Sequence, residues 1–418
     1  MQYINQSLVS EIRQKFCNVN TCPISGDRIF FENAGGALTL KSALETTTKF
    51  ASIPDNQGRD NAASKALNDV IKNAKSDLSA LFNTQSGEFF MGESGTELLF
   101  RLIRNAVLAS PSGGSIVGTS LEHPASRSAA KKWSNEMEYT YLSVPHCVKT
   151  GTVDPKNYAN KISDTTRVVT IVHASPVTGM GTKIKEISKI VRQKAPLAFI
   201  IVDGIQHAAH GGIDIESYDI DGYVISPYKM FSRHGFGIAW VSDRLRNAPH
   251  EKLDGGPSDN WELGTRDTGA YATMSDVKEY MCWLGKEFTK NNDSREQIKA
   301  AGAAIQDYER KMTDTLLHGL DNLKGLADFE DVEIIGGLNN SSREGLVSFR
   351  IKDYPSEKIV RYLNHQGIRT HTRKCDHYSE NILKPLGWDD CVRVSICHYN
   401  TLSEIKKFLS CMAAFRDK

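Results

Sequence analysis

Short apolar runs recur along this chain, each closing on a polar or small residue and each followed by a helical or loop segment. This alternation constrains the fold more than any other feature. The runs lie at residues 89–92, 115–119, 139–142, 168–173, 198–204 and 222–226. A strand that is apolar at successive positions is buried on both faces, and in a βα alternation that means a mostly parallel sheet with helices on each side. The expected class is therefore α/β.

In an open sheet of this kind the ligand crevice lies at the carboxyl ends of the strands. The run at 222–225 ends in Ser226 and Pro227 and places Lys229 just beyond. Most lysines are solvated surface residues. A lysine in the crevice loses hydration, its pKa falls, and its neutral amine can attack an aldehyde carbon. Two other runs support that placement. The run at 198–204 closes on Asp203, a carboxylate that can keep a pyridine nitrogen protonated so that the ring accepts electrons. After 89–92 come Ser94, Gly95, Thr96 and Glu97, a helix start with capping-box spacing. Its amides and dipole suit a phosphate. Lysine, carboxylate and phosphate seat together describe a site for pyridoxal 5'-phosphate.

Five motifs occur in order over nearly the whole chain: Glu122-His123-Pro124-Ala125-Ser126, Val202-Asp203-Gly204-Ile205-Gln206, Ser226-Pro227-Tyr228-Lys229, Gly264-Thr265 and Arg393-Val394-Ser395-Ile396-Cys397-His398-Tyr399-Asn400-Thr401. With them the chain resembles the class V aminotransferase and cysteine desulfurase-like branch of fold-type I pyridoxal phosphate enzymes. The resemblance implies a large domain with a mixed, mostly parallel sheet and a small C-terminal α+β domain. We place an N-terminal segment at 1–40, packing on the small domain, the large domain at 41–285 and the small domain at 286–418.

The same resemblance implies roles for particular residues. Lys229, Asp203 and His123 are the catalytic set, with the His123 ring stacked on the cofactor. Gln206 bonds the cofactor's phenolic oxygen, and Ser226 and Tyr228 join Ser94, Gly95 and Thr96 around the phosphate. Thr265 reaches the phosphate of a neighbouring subunit, which implies a homodimer with two shared sites. Arg393 grips the substrate's α-carboxylate through its planar fork, with Arg369 or Arg373 as candidates for a second contact. Asn33, in a strand and small-residue turn at 29–37, approaches the substrate. Pro176 stands where relatives carry a hydrogen-bonding asparagine, so substrate specificity is not inherited.

The reaction follows from what happens at the substrate's β-carbon. Cysteine desulfurase-like or C–S lyase chemistry on a small amino acid is the main expectation; transamination, decarboxylation or aldol chemistry are the alternatives, and a non-catalytic dimeric module a further one. Cys375 lies in the region where desulfurases carry a nucleophilic cysteine, beside Arg373 and Lys374, which favour a thiolate. A non-catalytic loop cysteine is the competing reading.

A net charge of +1 argues against nucleic-acid or anionic-membrane partners. Residues 1–6 lack the pattern of a secretory leader, and no apolar run has membrane-spanning length, so a cytoplasmic location is expected. The eight cysteines contain no CxxC pair, which argues against a disulfide framework or a zinc site; no metal is expected. His207 and His210 read as structural or surface residues. The charges Glu309, Arg310, Lys311 and Asp314 read as the solvated face of a long helical region at 267–323.

Overall fold

Seven strands form the central sheet of the computed structural model, which describes residues 3–416. Met1 and Gln2, which open the segment scanned for a leader, lie outside the described residues. In chain order the strands are β1 (Glu88–Gly92), β2 (Ser115–Thr119), β3 (Thr140–Val144), β4 (Thr166–Val172), β5 (Phe199–Asp203), β6 (Gly222–Ile225) and β7 (Gly237–Val241). Their spatial order is β1-β7-β6-β5-β4-β2-β3. Pairing is parallel from β6 through β3, and β7 runs antiparallel to both its neighbours.

Successive residues of the inner strands enter different cores, as the two-residue strand period requires. Val168, Ile201 and Val224 pack with Leu98, Leu102 and Ala129 on one face. Val169, Ile200, Val202, Tyr223 and Ile225 pack into the larger core on the other. The first face is covered by α1 (Gly95–Leu108) and α2 (Pro124–Glu136), both of which begin at the carboxyl end of a strand.

The region at 267–323 is two helices, α3 (Thr268–Lys286) and α4 (Ser294–His318). Short polar side chains break it: Asn291 accepts from the Asp293 amide at 2.9 Å, and Asp293 caps α4 by accepting from the Glu296 amide at 3.1 Å. Beyond α4, β8 (Val332–Ile334), β9 (Leu346–Ile351), β10 (His371–Lys374) and β11 (Asp390–Ser395) form an antiparallel sheet ordered β8-β9-β11-β10.

The N-terminal segment bonds to this smaller sheet's surroundings. Ile29–Phe30 pairs in parallel with Ile368–Arg369, the Ser395 amide donates to the Phe31 carbonyl at 2.9 Å, and Arg13 Nη1 donates to the Tyr399 carbonyl at 2.6 Å. Instead of one strand, 29–37 holds that two-residue strand followed by a single helical turn, Asn33–Gly35. No helix among the described residues is long and apolar enough to cross a membrane.

Candidate active site

Lys229 ends a short turn, Pro227–Lys229, directly after β6. Burial pulls its pKa down to about 7, Arg393 and Arg373 add to the depression, and Asp203 opposes it. These four groups are thus electrostatic neighbours: Asp203 and Lys229 lie at the carboxyl end of the central sheet, as the runs predict, and Arg373 and Arg393 come from the small sheet. The amine donates to Gln206 Oε1 at 3.3 Å.

Asp203 is buried at the end of β5. Its Oδ1 accepts from the Ile205 amide at 3.1 Å, and no described residue bonds its other oxygen. Burial raises the carboxyl pKa to about 6 against the lowering by that amide and by Lys229. A buried carboxylate with a free oxygen is the complement of a protonated ring nitrogen, so on this count the residues present fit pyridoxal phosphate.

The helix start expected at Ser94 is present. Ser94 caps α1, its Oγ accepting from the Glu97 amide at 3.1 Å, while the Glu97 carboxylate reaches the Glu93 amide rather than that of Ser94. A Cβ on Gly95 would lie 2.5 Å from Ser226 Oγ and from Ile205 Cδ1, so only glycine lets the helix start approach the end of β6 this closely. Thr96 is exposed beside it. Tyr228 is half-buried, its ring stacked on His234 at 4.2 Å.

His123 caps α2, its Nδ1 accepting from the Ala125 amide at 3.2 Å. Burial, then the charges of Lys229, Arg373 and Arg127, lowers its pKa to about 4. The ring is neutral at physiological pH and offers an uncharged aromatic face. Arg393, on β11, is buried and donates from Nη1 to the Pro176 carbonyl at 3.0 Å. Proline at 176 thus contributes through its backbone.

Asn33, Thr265 and Cys375 lie apart from this cluster. The Asn33 side chain is consumed inside the protein: Nδ2 donates to the Ser395 carbonyl at 2.8 Å and to Asn400 Oδ1 at 3.2 Å, and Oδ1 accepts from the Tyr399 hydroxyl. It locks the turn, and the adjacent Gly35 and Gly36 face Arg393 and Tyr228 instead. Thr265 is exposed in this single chain. Cys375 packs on an apolar cluster of Ile335, Leu383, Trp388 and Cys391, and it is not among the groups whose charge acts on Lys229.

A family model described as aminotransferase class-V matches residues 29–408. The chain belongs to this family. Within it, the chain is similar to the cysteine desulfurase-like protein ustD of Aspergillus flavus, 27% identical over 409 residues covering 93% of this chain and 87% of that protein. It is also similar to the aminotransferase-like protein FGM3 of Gibberella zeae, 25% identical over 398 residues covering 91% and 93%. A cysteine desulfurase of Haloferax volcanii is 26% identical over 324 residues, 73% of this chain and 68% of that one. Among solved structures, a cysteine desulfurase from Thermococcus onnurineus matches with a TM-score of 0.81 over 97% of each chain at 19% identity. The cysteine desulfurase CsdA of Escherichia coli gives 0.79 over 98% of each at 19%. The shared fold is the fold-type I arrangement of a mixed, mostly parallel sheet with a small α+β unit.

One part of this class-V site is absent from the motifs. Gln206 Nε2 donates to His210 Nε2 at 3.3 Å, and His210 Nδ1 donates to Glu309 Oε2 at 2.8 Å. Both His210 and Glu309 are buried, which corrects the reading of Glu309 as solvated. Burial alone would lower the His210 pKa, but the Glu309 carboxylate outweighs it and raises it. The chain therefore runs from Lys229 through Gln206 and His210 to Glu309. Replacing Glu309 by Ala strands a buried N–H and is expected to cost about 3–5 kcal/mol. Glu309→Gln, which keeps an acceptor, should cost less. Denaturant midpoints of both variants check this, and wild-type stability in Glu309→Ala would refute the buried pair.

Proposed function

We propose that this chain is a pyridoxal phosphate-dependent enzyme that acts on a small amino acid by cleavage at the β-carbon, of the cysteine desulfurase-like or C–S lyase type. The observation that carries the reading is Lys229: a partly buried lysine at the carboxyl end of a parallel sheet, bonded to Gln206 and with its pKa depressed by desolvation and by the Arg393 guanidinium against the Asp203 carboxylate. The relatives named as cysteine desulfurases or cysteine desulfurase-like support it.

When bound, the cofactor supplies an electron sink that stabilises carbanions next to the amino-acid nitrogen. Lys229 would hold it and move protons at the substrate carbons through Nζ. Asp203 would keep the ring nitrogen protonated, His123 would cover one ring face, and Gln206 would bond the phenolic oxygen. Ser94, Gly95, Thr96, Ser226 and Tyr228 would seat the phosphate. Arg393 would orient the α-carboxylate, because a guanidinium makes two parallel bonds to it. In this proposal the active form is a cytoplasmic homodimer in which Thr265 reaches the partner's phosphate.

The test is a panel of amino acids assayed for sulfide, sulfite, alanine, pyruvate, carbon dioxide and keto acids. Keto-acid-dependent transamination as the main activity would refute β-cleavage. Cysteine turnover that survives Cys375→Ala while releasing pyruvate would exclude a persulfide on that residue.

The lysine also sets a pH dependence. Only the neutral amine reacts with an aldehyde, and its fraction rises as pH climbs through the pKa of about 7. Cofactor uptake by the cofactor-free protein, followed by absorbance, should therefore have its midpoint near pH 7. A midpoint near the ordinary lysine value of about 10.4 would show the amine to be hydrated.

A further inference from the structure

Behind Gln206 lies a pair of titratable groups that the chemistry at Lys229 does not use. His210 and Glu309 are both buried, and His210 Nδ1 donates to Glu309 Oε2 at 2.8 Å. The other ring nitrogen, Nε2, accepts from Gln206 Nε2 at 3.3 Å, while Gln206 Oε1 accepts from the Lys229 amine at 3.3 Å. The charged and titratable groups around His210 are Glu309 on α4, Glu344 before β9, Lys229 after β6, and Cys397 with His398 after β11. Glu344 Oε1 lies 2.7 Å from His207 Nδ1, so Glu309 is the carboxylate in contact with His210.

A primary amide can turn end for end with almost no change of shape, and its partners decide which end they meet. With Nδ1–H committed to Glu309 and Nε2 bare, His210 accepts the amide N–H, and the carbonyl end is left facing Lys229. One proton added to the pair reverses this. Whether it sits on the imidazole or on the carboxyl, Nε2 then carries a hydrogen, because Nδ1 bonds Glu309 in both cases. Two donors cannot share that contact. The amide must turn, so that Oε1 accepts from His210 Nε2 and the N–H end faces Lys229. Burial opposes a charged His210, but Glu309 outweighs it and raises the pKa of the ring. Burial also favours a proton on Glu309, whose Oε1 has no partner among the described residues.

The two ends of the amide serve different partners. The free lysine amine donates to the carbonyl end, as it does here. The phenolic oxygen of a cofactor attached to Lys229 accepts, and needs the N–H end. We propose that His210, held by Glu309, is a positioning residue that turns the Gln206 amide, and that the pair takes up one proton when Gln206 presents its N–H to the cofactor phenolate. The assignment rests on the cofactor reading above and adds to it a proton-coupled setting of Gln206.

The test follows the visible absorbance of the bound cofactor against pH. A hydrogen bond to the phenolate weakens its hold on the proton of the neighbouring nitrogen. Losing that bond should raise the absorbance midpoint by about one to two pH units. Glu309→Gln, which removes the anion and keeps an acceptor for Nδ1–H, should show this rise, and so should Gln206→Leu. The double variant should rise no further than Gln206→Leu alone, since both changes delete one bond. Glu309→Asp, which keeps the charge, should recover part of the shift. A pair that serves the fold alone would lower the melting temperature of Glu309→Gln and leave the midpoint where it is. That result, or additive shifts in the double variant, overturns the assignment.

A second measurement uses the cofactor-free chain. Nitrogen NMR resonances of His210, assigned by their loss in His210→Gln, report which ring nitrogens carry hydrogen. The Gln206 side-chain amide, assigned by its loss in Gln206→Leu, reports its own contacts. Both should change with pH at one shared midpoint, and Glu309→Gln should move that midpoint down. A Gln206 amide that ignores the protonation of His210 overturns the assignment and leaves the cofactor reading standing. A shared midpoint in a chain that takes up no cofactor supports the turning of the amide and overturns only the cofactor reading.

Discussion

A Lys229→Met chain should fold, lose the visible absorbance of bound cofactor, and fall in activity by at least about 10³-fold, since the same amine holds the cofactor and moves the substrate protons. Stability should move the other way. An amine that titrates at about 7 in the folded chain holds fewer protons than the unfolded one between there and its ordinary value. Its burial therefore costs stability in full below pH 7, and the cost shrinks as pH rises toward about 10.4. Cofactor-free Lys229→Met should be the more stable protein at pH 7, with the gap closing toward pH 10. Melting temperatures of both proteins across that range check the sign. A wild type that is equally stable at every pH, or a variant that keeps its activity, would mean that Lys229 is a solvated lysine.

The parts of this site that could be read in the sequence are those on strands buried from both sides. β5 and β6 are buried at every position, so their apolar runs are unbroken and the polar residue that ends each one stands out as Asp203 or leads to Lys229. The edge strand β10 offers no such signal. His371, Thr372 and Arg373 are each partly exposed and Lys374 is exposed, because the strand pairs on one side only, and four polar residues in a row read as a loop. Nothing in the sequence consequently marks Arg373 as a cross-strand neighbour of Arg393.

Glu309 is different, since a signal was present. Buried positions on α4 recur at Ile298, Ala301, Ile305, Tyr308, Met312 and Leu316, and Glu309 falls on that stripe together with Tyr308. The adjacent Arg310 and Lys311 made it look like part of a charged surface, but helical period separates the three. Asn33 had no signal at all. Its commitment depends on Ser395, Tyr399 and Asn400, more than 360 residues away along the chain.

Asp203 carries the second large effect. Asp203→Asn keeps the size of the side chain and removes its charge, so the cofactor should still attach through Lys229 while activity falls by about 10²- to 10⁴-fold, in the range for loss of a positioned charge or proton-transfer group. The absorbance of the bound cofactor should change as well, because its ring nitrogen loses the anion that holds its proton. Without cofactor the balance reverses. The carboxyl pKa is about 6 in the folded chain and about 3.9 when unfolded, so the folded state binds more protons between those values and becomes less favourable as pH rises through them. Below pH about 4 both states are protonated and the variant gains nothing. The advantage of Asp203→Asn should open from pH 4 and be complete above pH 6. A loss of activity together with a gain in cofactor-free stability separates a charge kept for chemistry from one kept for folding. Full activity in Asp203→Asn would remove the ring-nitrogen role and with it the reason for a carboxylate at the end of β5.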